Sequence, residues 1–448
     1  MDSVITLIIK VTNSCDMHCR YCFIEPAVFH KTMARETASR IIRAFLDSTH
    51  FKEVTFVWHG GEPLLRGQAF YEHILAEERR LPTPVQYTNA IQTNATHLSN
   101  EILDFLLAND IHIGLSLDGP PALNDASRRS RQRSGGTPGT GLRGSENGAP
   151  GERLPVQPAS GADASHRLSL PVVAGQSSLQ EADCAESSTG FSAHAITVDA
   201  ARRLSLRGQP AGAIVVVSAA NVGHPEEVYW EFKRQGIHMK VNPLMKAGLA
   251  ATEGSDLGIS AEEYGRFLVR LFDVWYDDPD GAIAIDPFVK HIGRLLGLPG
   301  MAHECHFARS CHRSFLGISP DGNMYPCGMF QGEPDFLYGN IGELSPEDIA
   351  KTALFGKIEL REQRVLEECM ECAFFDLCYS GCMFHSLKNG GRFEDKDYYC
   401  AGYKMYFEHL VRRVHKDLAN AVERLGERNA GGGVAVRGIE ENRSMEVT

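Results

Sequence analysis

The chain has 448 residues, 12 cysteines, 43% hydrophobic and 23% charged residues, and a formal net charge of −12. The length predicts two or three domains with a sizeable core, and the composition excludes a disordered, collagenous or coiled-coil chain. No apolar run reaches the ~18–20 residues of a membrane span, Lys10 breaks the apolar stretch 5–11 so that no secretory signal is expected, and the acidic balance gives no global attraction to nucleic acid.

Along the chain, strand-like and helix-like patterns alternate. Residues 6–11 form a β-rich run, and 37–48 read as a helix with Ile41, Ile42, Phe45 and Leu46 on one face. Strands are then predicted over 54–58, 86–92 and 111–117, separated by helices over 69–80 and 100–109. After an interruption come a helix at 197–206, a strand at 213–217, a helix at 226–234 and a strand at 238–241. Six such steps imply a parallel sheet, open or curled into a partial barrel, with its chemistry beyond the C-terminal strand ends. The helix pattern over 261–275 carries an apolar stripe from Tyr264 to Trp275, read as core packing in preference to a peptide groove.

The interruption, residues 133–192, is rich in Gly, Ser, Pro and Ala. Residues 124–190 contain no aromatic, so this segment is expected to be a disordered insertion with Cys184 as a bystander. The tail beyond Arg428 is expected to fray.

The other eleven cysteines gather at the two ends. Cys15, Cys19 and Cys22 follow the first strand at i, i+4 and i+7. Three thiolates on a four-iron cluster leave one iron open to a substrate or cosubstrate, and a zinc site completed by His18 is the alternative. The second strand ends in His59-Gly60-Gly61-Glu62-Pro63, the third leads to Gln92-Thr93-Asn94 and the fourth ends in Ser116-Leu117-Asp118-Gly119-Pro120. Eight cysteines then lie between residues 305 and 400, the number that two fully ligated four-iron clusters require. A reducing, cytoplasmic compartment is expected, since cysteines clustered this way without a signal sequence suggest metal before disulfides.

These motifs together resemble radical S-adenosylmethionine (radical SAM) enzymes carrying a SPASM domain. The resemblance implies a partial (β/α)6 TIM-like barrel over 1–246, a connecting helical segment over 247–300, a SPASM domain over 301–410, and a helical end with a disordered tail over 411–448. It implies that Cys15, Cys19 and Cys22 hold the SAM-binding 4Fe–4S cluster. It further implies that Tyr21, Gly60, Gly61, Glu62, Asn94, Ser116 and Arg128 contact SAM, Glu62 pairing with its ammonium and Arg128 with its carboxylate. Cys305, Cys311, Cys327 and Cys382 would hold a first auxiliary cluster, and Cys369, Cys372, Cys378 and Cys400 a second.

Among such enzymes the chain looks most like the anaerobic sulfatase-maturating ones, which oxidise Cys or Ser to formylglycine. Those have an aspartate proposed as proton acceptor directly after the cysteine matching Cys327; here that position is Gly328, which cannot act as a base. Asp321, Glu333, Asp335 and Tyr338 are candidate replacements among which the sequence does not choose. The departure favours a maturase that cross-links side chains of a ribosomally made peptide, with sulfatase maturation as the alternative and a zinc-stabilised peptide-binding module as the non-enzymatic one. The expected partners are a peptide or protein substrate and an external one-electron donor such as flavodoxin or ferredoxin, with neither nucleic acid nor membrane.

Overall fold

The computed structural model describes residues 1–130, 191–252, 255–281, 283–298, 301, 305–418 and 421. Its first part is built from β1 (Val4–Thr12), α1 (Arg35–Leu46), β2 (Glu53–Gly60), α2 (Gln68–Arg80), β3 (Gln86–Gln92), α3 (Asn100–Ala108), β4 (Ile111–Ser116), α4 (Pro121–Ser127), α5 (Ala193–Ser205), β5 (Ala211–Val217), α6 (Pro225–Gln235) and β6 (Ile237–Pro243). Strands β1 to β6 pair side by side in chain order, all parallel. Parallel crossovers are right-handed, so a sheet wound in one direction keeps its helices on one face and curls. In β1, Ile5, Leu7, Ile9 and Val11 are buried in the same apolar core as Ile41, Ile42 and Phe45 of α1. That leaves Thr6, Ile8, Lys10 and Thr12 for the opposite face.

The sheet does not close on itself. The two-residue strand β7 (Ile285–Asp286) pairs with β6 at one edge, and β8 (Phe315–Ile318) pairs in parallel with β1 at the other. β9 (Asn323–Tyr325) and β10 (Gly339–Asn340) continue antiparallel from β8, giving ten strands among the described residues. This extension was not foreseen. Its strands are too short for periodicity to register and exist because β1 offers them an edge.

The connecting helix, α7 (Ala261–Asp277), starts at a capping box in which Ser260 and Glu263 bond each other's backbone N–H, a feature worth about 1 kcal/mol. Tyr264, Phe267, Leu268, Leu271, Phe272 and Trp275 are all buried, so the stripe is core and no peptide groove forms along it. After α8 (Phe288–Leu295), α9 (Ala353–Cys369), α10 (Phe375–Cys378) and α11 (Met383–Lys388), the long α12 (Cys400–Lys416) packs on α7. The helices meet at Gly265 and Gly402, where a Cβ on Gly402 would stand 2.0 Å from the Ala261 carbonyl oxygen.

The expected insertion, with Cys184, and the expected frayed tail lie outside the described residues, except at the insertion's C-terminal end. There Ser192 is already the N-cap of α5, its hydroxyl accepting from the Ala195 N–H at 3.1 Å, so helical structure begins sooner than expected. α12 runs unbroken through the expected boundary at residue 410. No described helix is long and apolar enough to cross a membrane.

Candidate active site

β1 delivers the chain into the loop of Cys15, Cys19 and Cys22, which lies along the segment after α4. His18 N–H donates to the Arg129 carbonyl at 2.7 Å and Arg20 N–H to that of Ser127 at 2.9 Å. Burial pushes the Cys15 thiol well up, and the Cys19 thiol up to about 11 against the pull of Arg128. Such thiols become thiolates only when a cationic group compensates for lost hydration. Gly60 and Gly61 press the end of β2 onto this loop: a Cβ on Gly60 would lie 2.0 Å from the Thr12 carbonyl oxygen, one on Gly61 2.3 Å from that of Ser14, and Gly60 has φ +139°. Only glycine accommodates both the contact and that φ.

Glu62 is hydrogen-bonded to the backbone and side chains around it. It is fully buried, and its carboxylate accepts from Leu64 N–H at 2.9 Å, the Thr93 hydroxyl at 2.7 Å and Asn94 N–H at 2.8 Å. Burial pushes its pKa up to about 7 despite these three donors. Through these bonds Glu62 ties the end of β3 to the end of β2. Asn94, held there, extends Nδ2 to Asp16 at 3.1 Å and to the Cys15 sulfur at 3.6 Å.

Tyr21 and Arg128 are also committed to protein partners. Tyr21 hydroxyl donates to Asp118, and Arg128 donates to the Tyr21 oxygen at 2.6 Å while lying 3.8 Å from the Asp118 carboxylate. Asp118 and Arg128 are both buried, so this trio anchors the cysteine loop to β4 and α4. Ser116 is half-buried, its hydroxyl accepting from Gln92 Nε2 at 3.1 Å.

In the C-terminal part the eight thiols sort into two groups. Burial pushes the Cys311 thiol far up, and the neighbouring sulfurs of Cys382, Cys327 and Cys305 push it further. The Cys378 thiol is raised by burial, then by the Asp397 carboxylate and by Cys400, Cys369 and Cys372. These four cysteines line one cavity with Phe375 and Tyr403. None of the eleven described cysteines is in a disulfide, and among the described residues no three His, Cys, Asp or Glu side chains close on a point as a single metal ion requires. A zinc ion would draw its sulfurs to about 2.3 Å from one centre, whereas a four-iron cluster takes thiolates spaced around a larger body. The donor set is all-sulfur, half-buried and mutually repelling, which suits such a cluster.

A residue missed as a site candidate lies between the two thiol regions. Lys10 is 2% exposed, stands opposite His59 in the β1–β2 register, and holds its Nζ 4.6 Å from the Phe23 ring centre. Burial lowers its pKa to about 8, while the sulfurs of Cys22 and Cys327 draw it upward, so it is near both. His59 is lowered to about 4 by burial and by Lys10, and its Nδ1 accepts from Gly60 N–H at 2.6 Å. The signal was a lysine inside an apolar strand, which had served only to argue against a signal peptide.

Gly328 faces the same strand: a Cβ there would stand 2.6 Å from Ile8 Cγ2, so an aspartate could enter only if Ile8 moved. Of the candidate replacements, Asp321 is bound by Lys31 at 2.8 Å and Ser319, Glu333 pairs with Lys388, and Asp335 is exposed. Tyr338 is buried, which pushes its phenol far above the range of a base.

Comparison with known proteins gives this geometry its context. Residues 9–136 match the radical SAM superfamily and residues 305–373 an iron–sulfur cluster-binding domain, SPASM. A serine-type anaerobic sulfatase-maturating enzyme of Bacteroides thetaiotaomicron is 24% identical over 423 residues, spanning 89% of this chain and 87% of that protein. A cysteine-type one of Clostridium perfringens is 22% identical over 421 residues, spanning 92% and 97%. The solved structure of native anSMEcpe with bound AdoMet superposes with a TM-score of 0.70 at 22% identity, covering 93% of this chain and all of that one. The fold is therefore the radical SAM α/β barrel with a SPASM domain, and the zinc-stabilised binding module is set aside.

Proposed function

Since a chain with these two domains is a radical SAM enzyme that uses 4Fe–4S clusters and S-adenosylmethionine, we propose that it oxidises a cysteine or serine side chain of a sulfatase to formylglycine. What carries this reading is the likeness to sulfatase-maturating enzymes over about nine-tenths of both chains, through both thiol regions. Peptide cross-linking, preferred from the sequence, has less support. In this reading Cys15, Cys19 and Cys22 hold the SAM-binding cluster; Cys305, Cys311, Cys327 and Cys382 the first auxiliary cluster; Cys369, Cys372, Cys378 and Cys400 the second.

When bound, these groups supply a carbon-centred radical able to take an unactivated hydrogen atom, and the one-electron transfers around it. The chain's own part is to position and to move a proton. Glu62 holds residues 93–94 so that Asn94 faces the cysteine loop, and the Tyr21–Asp118–Arg128 trio fixes the loop's other side. We keep Gly60, Gly61, Asn94, Ser116, Tyr21 and Arg128 as the SAM-proximal set, with Glu62 acting through the backbone. Formation of a carbonyl from a serine Cβ–OH requires loss of the hydroxyl proton, and with Gly328 in the usual place of the acceptor we assign that role to Lys10 Nζ. A lysine near pKa 8 has a substantial neutral fraction at the pH of most cells. A flavodoxin or ferredoxin as electron donor, and a cytoplasmic site of action, belong to the same proposal.

One observation keeps the cross-linking reading as the second choice: a side chain at residue 328 would require Ile8 to shift, so glycine there fits the packing. The two readings are separated by incubating the reduced, anaerobically reconstituted enzyme and SAM with sulfatase-motif peptides carrying Cys or Ser. A hydrazide-reactive aldehyde is expected. SAM cleavage with neither peptide oxidised would overturn sulfatase maturation.

A further inference from the structure

Two hydroxyls beside the second thiol quartet have no hydrogen-bond partner. Ser380 Oγ and Tyr403 Oη are both buried and unpartnered, in side chains of residues only 5% and 1% exposed. Both residues line the cavity shared by Cys369, Cys372, Cys378 and Cys400. Burying a hydroxyl without an acceptor is costly, and such groups in a native structure mark a missing partner.

The chemistry of the cavity identifies that partner. Thiolates and inorganic sulfides only accept hydrogen bonds, so hydroxyl donors match them where a carboxylate would not. The backbone sets the donors deliberately. Tyr379 and Ser380 both adopt left-handed conformations, φ +48° and +78°, which turn the chain between Cys378 and Cys382. Tyr403 lies three residues after Cys400 on α12, on the same helix face. Lys396 and Lys404 line the same cavity, and both pull down the Cys400 thiol against its burial.

We propose that Ser380 and Tyr403 donate hydrogen bonds to the sulfurs of a 4Fe–4S cluster held by Cys369, Cys372, Cys378 and Cys400, and thereby raise its reduction potential. Donors to cluster sulfur favour the reduced, more negative state. The inference rests on the reading that these four cysteines hold a cluster. It makes Ser380 and Tyr403 positioning residues toward the cofactor, with no contact to substrate.

The test is a redox titration monitored by electron paramagnetic resonance on the full-length, anaerobically reconstituted wild type, Ser380→Ala, Tyr403→Phe and the double variant, with iron counted in each. Every variant is expected to keep the wild-type iron content. One cluster's midpoint falls in each single variant and falls further in the double, while the others stay. Unchanged midpoints at full iron content overturn the inference. Cys372→Ala tests the underlying reading separately: it should lose about four irons, and if it loses none the ligand assignment fails. Should Tyr403→Phe not retain iron, Ser380→Ala decides alone. Its wild-type counterpart must then show an exchangeable proton coupled to the cluster, lost in the variant and in deuterated buffer, and persistence of that coupling in Ser380→Ala counts against the proposal.

Discussion

Between residues 15 and 22 the thiols stand on one loop held by neighbouring strand ends, whereas between 305 and 400 half of them sit on elements of a turn or two, flanked by the long helices α9 and α12. The N-terminal loop is gripped by the ends of β2, β3 and β4 through Glu62, Asn94 and the buried Tyr21–Asp118–Arg128 trio. In the C-terminal region Cys305 and Cys311 open one-turn helices and Cys378 and Cys382 lie at the ends of four-residue α10 and six-residue α11, with left-handed turns at Ser310, Tyr379 and Ser380, while Cys369 ends α9 and Cys400 begins α12. Helices of one turn do not nucleate alone. The expectation that follows is that the first site would receive its cluster on a preorganised loop, while the segments around Cys305, Cys311, Cys378 and Cys382 would need theirs as structural cross-links.

Removing iron should therefore split the molecule. Chelation under reducing conditions is expected to make residues 305–400 sensitive to limited proteolysis while the β1–β6 barrel remains protected, since metal-site binding energy is folding energy where no preformed scaffold exists. Equal protection of both regions without iron would erase the comparison.

Lys10 stands at the seam between the regions. Lys10→Met is expected to lower the rate of peptide oxidation by about 10²–10⁴-fold, the range for loss of a general base, with SAM cleavage retained. The wild-type rate should rise with pH through about 8, because the folded-state pKa is depressed and the neutral amine gains population above it. The buried ammonium is a cost below that pH, so Lys10→Met should also raise Tm at neutral pH. A variant that keeps both rate and pH profile would return Lys10 to the status of a buried strand residue.

Glu62→Gln probes the grip on the N-terminal loop most gently. Its amide nitrogen cannot accept from Asn94 N–H or the Leu64–Thr93 pair, leaving at least one buried donor unpaired at a cost of about 1–3 kcal/mol. Weaker SAM binding with full iron at all sites is the expected result, read by calorimetric titration and iron analysis. Undiminished SAM affinity at full stability would show that the backbone of residues 93–94 holds without it.

Much of this molecule is legible in the order of its residues. The alternation that predicts β1–β6 is met closely, with residues 86–92 matching β3 at both ends, because each strand buries one face and periodicity records that. The cysteine spacings determine which thiols are local neighbours and, with the family resemblance, how they group. Tertiary structure alone decides the rest. Pairing of β8 with β1 brings Gly328 onto Ile8 and Cys327 toward Lys10, a juxtaposition of residues over three hundred positions apart that no local pattern encodes. Burial likewise makes Glu62 the tie between two strand ends, and leaves the unpartnered hydroxyls of Ser380 and Tyr403 in residues that line one cavity with four cysteines. Spacing along a chain specifies which groups can meet, but whether a carboxylate or hydroxyl faces protein, cofactor or solvent depends on what packs over it, and that is set only when distant segments close together.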